Sequence, residues 1–190
     1  DESPQKQIPS AEGSFSIRRS SDAIYSIFVD SRRNIWLGSY RHGLFMAPKN
    51  AETCALANTA TGELSYDIVT AVVPVGDKLY LGLDGGGLDI YDPATATSRN
   101  INASGSALPG NNIVDLSADN GKVWGIDYNG GLFEINTSTG AITAHPTEMP
   151  QADASARATL SDKAALTEKN RYWLIADDGN GRLWLGGTSI

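Results

Sequence analysis

Short runs of alternating apolar and polar residues follow one another along this 190-residue chain, each closed by Gly, Asn, Asp or Pro, which is the pattern of strands joined by tight turns. Ala23 to Val29 reads as an inner strand, Ile35 to Ser39 as a second, Gly43 to Ala47 as a third and Thr53 to Leu56 as a weak outer strand. The same order returns in Ile68 to Val73, Lys78 to Leu83, Gly87 to Tyr91 and Thr97 to Ile101. It returns again in Ile113 to Ser117, Lys122 to Ile126, Gly131 to Ile135 and Ala141 to His145. Trp173 to Ala176 and Leu183 to Gly187 open a fourth round. The second-strand aromatics Trp36, Tyr80 and Trp124 stand a constant 44 residues apart, and a Gly-Leu pair (Gly43, Gly87, Gly131) begins seven residues after each.

A repeat of that length built from four short strands predicts an all-β fold, a β-propeller fragment of four-stranded antiparallel blades. Three blades are nearly complete and partial ones stand at each end. One such sheet has two faces to bury, so the units must stack on one another. The expected divisions are 1–21, a lead-in with the outer strand of a preceding blade at Ser14 to Arg18; 22–62, 63–106 and 107–146, three blades; 147–171, an inserted loop; and 172–190, half of a fourth blade. Residues 1–13 read as a segment of little structure, and Ser161 reads as the N-cap of a short helix within the insertion. Since the last two strands would leave an unpaired edge, the chain reads as a piece of a longer protein, and such edges invite pairing into a homodimer.

Composition narrows the function classes. A net charge of −7 with no basic stripe argues against a nucleic-acid surface. The single cysteine, Cys54, allows no intrachain disulfide and reads as a small core residue. The repeated aromatics, including Trp184 of the fourth round, are expected in the core because a residue present once per repeat packs between neighbouring sheets. Gly43, Gly87 and Gly131 are expected to serve close packing or positive φ. Asp177 to Gly181 and Asp119 to Gly121 read as hairpin turns, with Asn120-Gly121 the strongest of them, and not as calcium loops. His42 and His145 have no zinc-binding spacing, and no cofactor or metal site is expected.

Ser26 to Asp30, Asn34 to Gly38 and Gly43-Leu44 resemble the two-component regulator propeller repeat, and Leu108 to Val114 resembles that family's link between blades. The resemblance covers most of residues 22–146 and returns at 172–190. It implies a non-catalytic, periplasmic, ligand-sensing part of a membrane-anchored sensor histidine kinase, with an oligosaccharide or other small ligand as partner and the kinase elsewhere in the parent protein. Asp30 and Asp178 carry the repeat's Asp at the end of the inner strand, whereas Pro74 and Ala118 replace it in the middle copies, and Ile126 stands where glycine is expected.

In a propeller the loops joining second to third strands gather at one end with the links between blades. That end would collect Tyr40, Arg41 and His42, then Asp84 with Gly85 and Gly86, then Asp127, Tyr128 and Asn129, with Tyr66, Asp67, Asn111 and Asn112 from the links. Flat aromatic faces beside fixed hydrogen-bonding groups suit a sugar-binding rim. Two other readings stand beside it: a scaffold that binds another protein, and a propeller lyase acting on a cyclic peptide antibiotic, for which only His42 is placed as a catalytic group.

Overall fold

The computed structural model describes residues 8–10, 13–15, 23–49, 54–119, 121–129, 131–145 and 170–189. Three four-stranded antiparallel sheets are each laid out in chain order from an inner to an outer strand. The first blade holds β3 (Ile24–Val29), β4 (Ile35–Ser39), β5 (Leu44–Ala47) and β6 (Ala55–Ala57). The second holds β7 (Val69–Val75), β8 (Lys78–Leu83), β9 (Gly87–Asp92) and β10 (Thr97–Ile101). The third holds β11 (Ile113–Asp119), β12 (Lys122–Asp127), β13 (Gly131–Asn136) and β14 (Ile142–Ala144). A two-stranded sheet of β15 (Asn170–Asp177) and β16 (Leu183–Ser189) begins a fourth. The all-β propeller fragment expected from the repeat is what the chain forms.

At the amino end the structure departs from the reading of an unstructured lead-in. Ile8–Ser10 (β1) pairs antiparallel with Gly13–Phe15 (β2), so the expected strand at Ser14 begins one residue earlier and has a partner within the lead-in itself. Residues 16–18 of that strand, Asn120 of the second hairpin turn and the helix expected from Ser161 lie outside the described residues. Cys54 is also corrected. It sits half-buried just ahead of β6, because the outer strand starts at Ala55 and is the last one of its sheet.

Three apolar clusters hold the stack, one at each joint between blades. Trp36 and Leu44 of the first blade meet Val72, Leu79, Leu81 and Tyr91 of the second. Tyr80 and Leu88 of the second meet Leu116, Val123, Phe133 and Ile135 of the third. Ile126 and Leu132 of the third meet Ile175 and Leu183, with Trp124 packed alongside. In the three four-stranded blades the second-strand aromatic therefore packs forward, onto the next sheet. Trp36 and Tyr80 are buried and Trp124 half-buried, but Trp184 is 62% exposed, which corrects the expectation that it is core. No described sheet follows it. The mirror statement holds for the first blade, where Ile27 is 69% exposed while Val72 and Leu116, at the matching places of the next two blades, are buried.

Glycine permits the close approach at these joints. A Cβ on Gly38 would stand 2.7 Å from the Val69 carbonyl oxygen of the next blade, and one on Gly82 would stand 2.8 Å from Cγ2 of Ile113. In the third blade the order is inverted to Gly125-Ile126, and there the Phe133 ring occupies the space a side chain at 125 would need. The Gly-Leu glycines have a second reason. Gly43 and Gly87 hold φ of +85° and +78°, and their N–H groups donate to Asp67 and Asn111 carbonyls, pinning each link between blades to the sheet it leaves.

The inner hairpins come in two forms. Val75 pairs with Lys78 and Asp119 with Lys122 across two-residue turns, whereas the first and last hairpins carry five-residue loops that open with Asp30 and Asp178. Asp30 accepts from the N–H groups of Arg32 and Asn34, from Asn34 Nδ2 and from the indole N–H of Trp36 at 3.1 Å. Asp178 accepts in the same way from Asn180 and Arg182. The repeat's Asp is thus a loop cap, absent where the hairpin is too short to need one.

Burial alone would raise the Asp30 carboxyl, but its hydrogen bonds from Trp36, Asn34 and Arg32 outweigh that and hold it below the ordinary aspartate range. Backbone donation from Asn180 first, then from Arg182, lowers Asp178 likewise. A carboxylate lowered on folding stabilises the protein above its unfolded pKa and loses that contribution as pH falls through the folded value. Denaturant midpoints should therefore drop between pH 5 and pH 3 more steeply in the parent than in Asp30→Asn. A second measurement addresses the joints: Trp36→Ala should cost about 3–5 kcal/mol in chemical denaturation, and Trp184→Ala less than about 1 kcal/mol, because only the first vacates a packed interface.

Candidate functional site

Each inner strand carries one irregularity at the same place. The pairing of β3 with β4 slips between Ile24 and Ser26, that of β7 with β8 between Val69 and Ala71, that of β11 with β12 between Ile113 and Asp115, and that of β15 with β16 between Tyr172 and Leu174. The extra residues are Tyr25, Thr70, Val114 and Trp173. A bulge leaves one residue outside the ladder and re-aims its side chain. All four point to one place: together with Asp84, Ile113 and Tyr128 they line a cavity of about 350 Å³ where the inner strands converge.

The walls are aromatic. Tyr128 leans on Trp173 with ring centres 5.5 Å apart, and Tyr25 leans on Tyr40 at 5.4 Å, with the Arg41 guanidinium 5.2 Å over the Tyr40 ring. Tyr25, Trp173 and Tyr128 are 51%, 45% and 37% exposed, so large ring surfaces face solvent in one small region. Thr70 forms part of the lining, its hydroxyl shared between the carbonyls of Ile113 at 2.7 Å and Gly82 at 3.0 Å. Asp84 is fixed through its backbone, donating to the Ile68 carbonyl and bridging to Asn112. Among the described residues none donates a hydrogen bond to its carboxylate.

The residues that sequence spacing gathered at this end divide into two sets. Asp84 and Tyr128 line the cavity, and Tyr40 joins it through Tyr25. Arg41 lies over the Tyr40 ring, and several of the others are engaged in building the frame. Asp127 is 2% exposed and accepts from the N–H groups of Asn112 and Asn129, beneath Gly110, where a Cβ would fall 2.4 Å from its oxygens. Asn111 accepts from Ala103 N–H through its side chain and from Gly85 and Gly87 through its carbonyl, while the Asn112 carbonyl takes Tyr128 N–H. His42 N–H donates to Ser39 Oγ. His145, on the outer edge of the third blade, stacks on Trp124 at 5.4 Å.

Tyr25, Thr70, Val114 and Trp173 were missed as site residues because strands read as regular alternation hide a bulge. The signal exists in the second blade, where Val69 is buried, then Ala71 and Val72 are buried in succession. Two adjacent apolar positions break a period of two, and that break of phase marks the residue forced out of the ladder.

The two sets should separate in stability measurements. Asp127→Ala strands two backbone donors and should cost about 1–3 kcal/mol in denaturant unfolding, whereas Asp84→Ala should stay within about 0.5 kcal/mol of the parent.

Comparison with known proteins agrees with this architecture. The family model of the two component regulator propeller matches residues 19–41, the stretch that contains Tyr25, the Asp30 cap, Trp36 and Tyr40. Among solved structures, the chain is similar to the extracellular domain of a hybrid two component system, BT3049 from B. thetaiotaomicron, with a TM-score of 0.63 and 14% identity over 88% of this chain and 22% of that one. It is similar to YCF48 from Cyanidioschyzon merolae, with a TM-score of 0.61 and 14% identity over 92% of this chain and 53% of that one. It is also similar to the extracellular domain of a one component system, BT4673 from B. thetaiotaomicron, with a TM-score of 0.51 and 15% identity over 97% of this chain and 27% of that one. The chain thus spans about a fifth to a half of these structures, and at such identities the likeness is one of fold. Comparison with curated protein sequences gives no match.

Proposed function

We propose that this chain is a ligand-sensing, non-catalytic segment of the extracytoplasmic domain of a two-component sensor, and that its ligands are oligosaccharides. The observation that carries the reading is the cleft itself: one bulged residue from each of four sheets, two of them aromatic, aimed into a common space beside Tyr128 and Asp84. Aromatic faces and a few convergent polar groups are the makings of a small-molecule site. The matched repeat and the likeness to extracellular domains of bacterial signalling systems support a sensing role in the same compartment, with the kinase in another part of a membrane-anchored parent. A ligand bridging several sheets would favour one packing of the stack over another, and signalling requires only that its affinity differ between the two.

Titration of the parent's extracytoplasmic domain with a panel of oligosaccharides, followed by calorimetry and tryptophan fluorescence, tests this. Binding should perturb the emission of Trp173 and weaken at least tenfold in Trp173→Ala and Tyr128→Ala. Binding that both variants leave intact would move the site away from this cleft, and a panel with no binder would remove the sugar class.

A further inference from the structure

We propose that the cleft selects the terminal unit of an uncharged oligosaccharide, seating one pyranose ring between the Tyr25 side and the Tyr128–Trp173 side while its hydroxyls donate to Asp84. The inference rests on the sensing reading above and narrows it to a class of glycan.

Three observations lead there. First, the lining carries one negative charge and no positive one. Asp84 is the one charged residue among the seven that line the cleft, and an ionised carboxylate only accepts. The Thr70 proton is spent on a carbonyl of its own frame, which leaves its oxygen to accept as well. A ligand rich in O–H donors complements such a site, whereas a uronate or sulfate group offers no donor and meets a like charge in surroundings of low polarity.

Second, Asp84 differs from the other carboxylates at these loops. Asp127 and Asp67 have their oxygens filled by protein donors, from Asn112 and Asn129 in one case and from Thr59 in the other. Asp84 occupies a place just as fixed, held by its own N–H and by the bridge to Asn112, yet no described residue donates to its oxygens. A rigidly mounted acceptor with its capacity unused is preorganised for a ligand.

Third, the size fits a chain end. About 350 Å³ lies at the low end of the range for small-molecule sites, enough for a terminal unit and its neighbour but not for a long stretch of polymer. Tyr25 from the first sheet and the Tyr128–Trp173 pair from the third and fourth supply flat apolar surface for the faces of a ring, while the smaller Thr70 and Val114 come from the sheets between the first and the fourth.

The experiment measures affinities of the extracytoplasmic domain for three sets of probes. Cellotriose, maltotriose and mannotriose are neutral, trigalacturonate and a sulfated heparin disaccharide are anionic, and a glucosamine trimer is cationic. Each set is titrated into the parent protein, Asp84→Asn and Trp173→Ala, with unfolding midpoints confirming that the variants fold. A neutral probe should bind the parent, weaken about 10- to 100-fold in Asp84→Asn through loss of a charge-assisted hydrogen bond, and outcompete every anionic probe. Asp84→Asn should in turn narrow the gap between neutral and anionic probes. Anionic probes binding as tightly as neutral ones, or neutral affinity unchanged within twofold in Asp84→Asn, would overturn the selection while leaving oligosaccharide sensing in place. A glucosamine trimer favoured more than tenfold over every neutral probe would overturn it in favour of a cationic ligand. Failure of all three sets would overturn the oligosaccharide reading itself, and this selection with it.

Discussion

Each sheet in this protein has two apolar faces and can satisfy neither alone, so the structure depends on the joint between successive sheets. The first two joints are made the same way. The aromatic at the centre of the second strand joins an apolar cluster with side chains of the next blade, and a glycine two residues further on lets the backbones approach. Trp36 clustered with Leu79, Leu81 and Tyr91, and Tyr80 clustered with Leu116 and Val123, are two instances of one arrangement. Where the next sheet is missing from the described residues the same residue type, Trp184, stands in solvent. Burial here is a property of position in the stack and not of the side chain.

The same dependence explains why so many different polar devices occur at the inner edge. Once sheets are packed face to face, their inner strands lie side by side without forming a continuous ladder, and their backbone groups still need partners. Side chains fill the gap. Thr70 donates across to the Ile113 carbonyl, Asp115 accepts from Ile175 N–H at 2.8 Å, and Ser117 accepts from Asp177 N–H at 2.9 Å. Desolvation pushes the Asp115 carboxyl above its ordinary value despite donation from the N–H groups of Ile175 and Leu116, so burial is the stronger effect there. The third and fourth sheets are thus joined by polar contacts as much as by their smaller apolar cluster.

Most of the fold was legible because it repeats. A spacing of 44 residues located the second strands to the residue in all three complete blades at their starts, Ile35, Lys78 and Lys122, since a strand that recurs beside an invariant aromatic can be aligned against its own copies. Features that occur once gave no such purchase. The β1–β2 hairpin, the half-buried Cys54 and the exposure of Trp184 all depend on what lies beside them in space. The candidate site was legible in part for the same reason. Loop spacing brought Asp84 and Tyr128 to the end where the cleft lies, but it could not separate them from Asp127 and Asn111, whose polar groups are engaged by backbone partners that only the folded chain supplies. The bulges were hidden because a single inserted residue changes the phase of a strand without changing its composition.

The bulges also tie the site to the joints on which the fold depends. Thr70 and Val114 face the cleft, while Val69, Ala71, Ile113 and Leu116 beside them are buried in the clusters between sheets. The group that would meet a ligand and the group that sets the spacing of two sheets are therefore neighbours in one rigid strand. Because packed interfaces accommodate a shift by moving between discrete arrangements and not by continuous strain, a ring wedged against several bulges would act on several joints at once. A loop site resting on one sheet would lack that leverage.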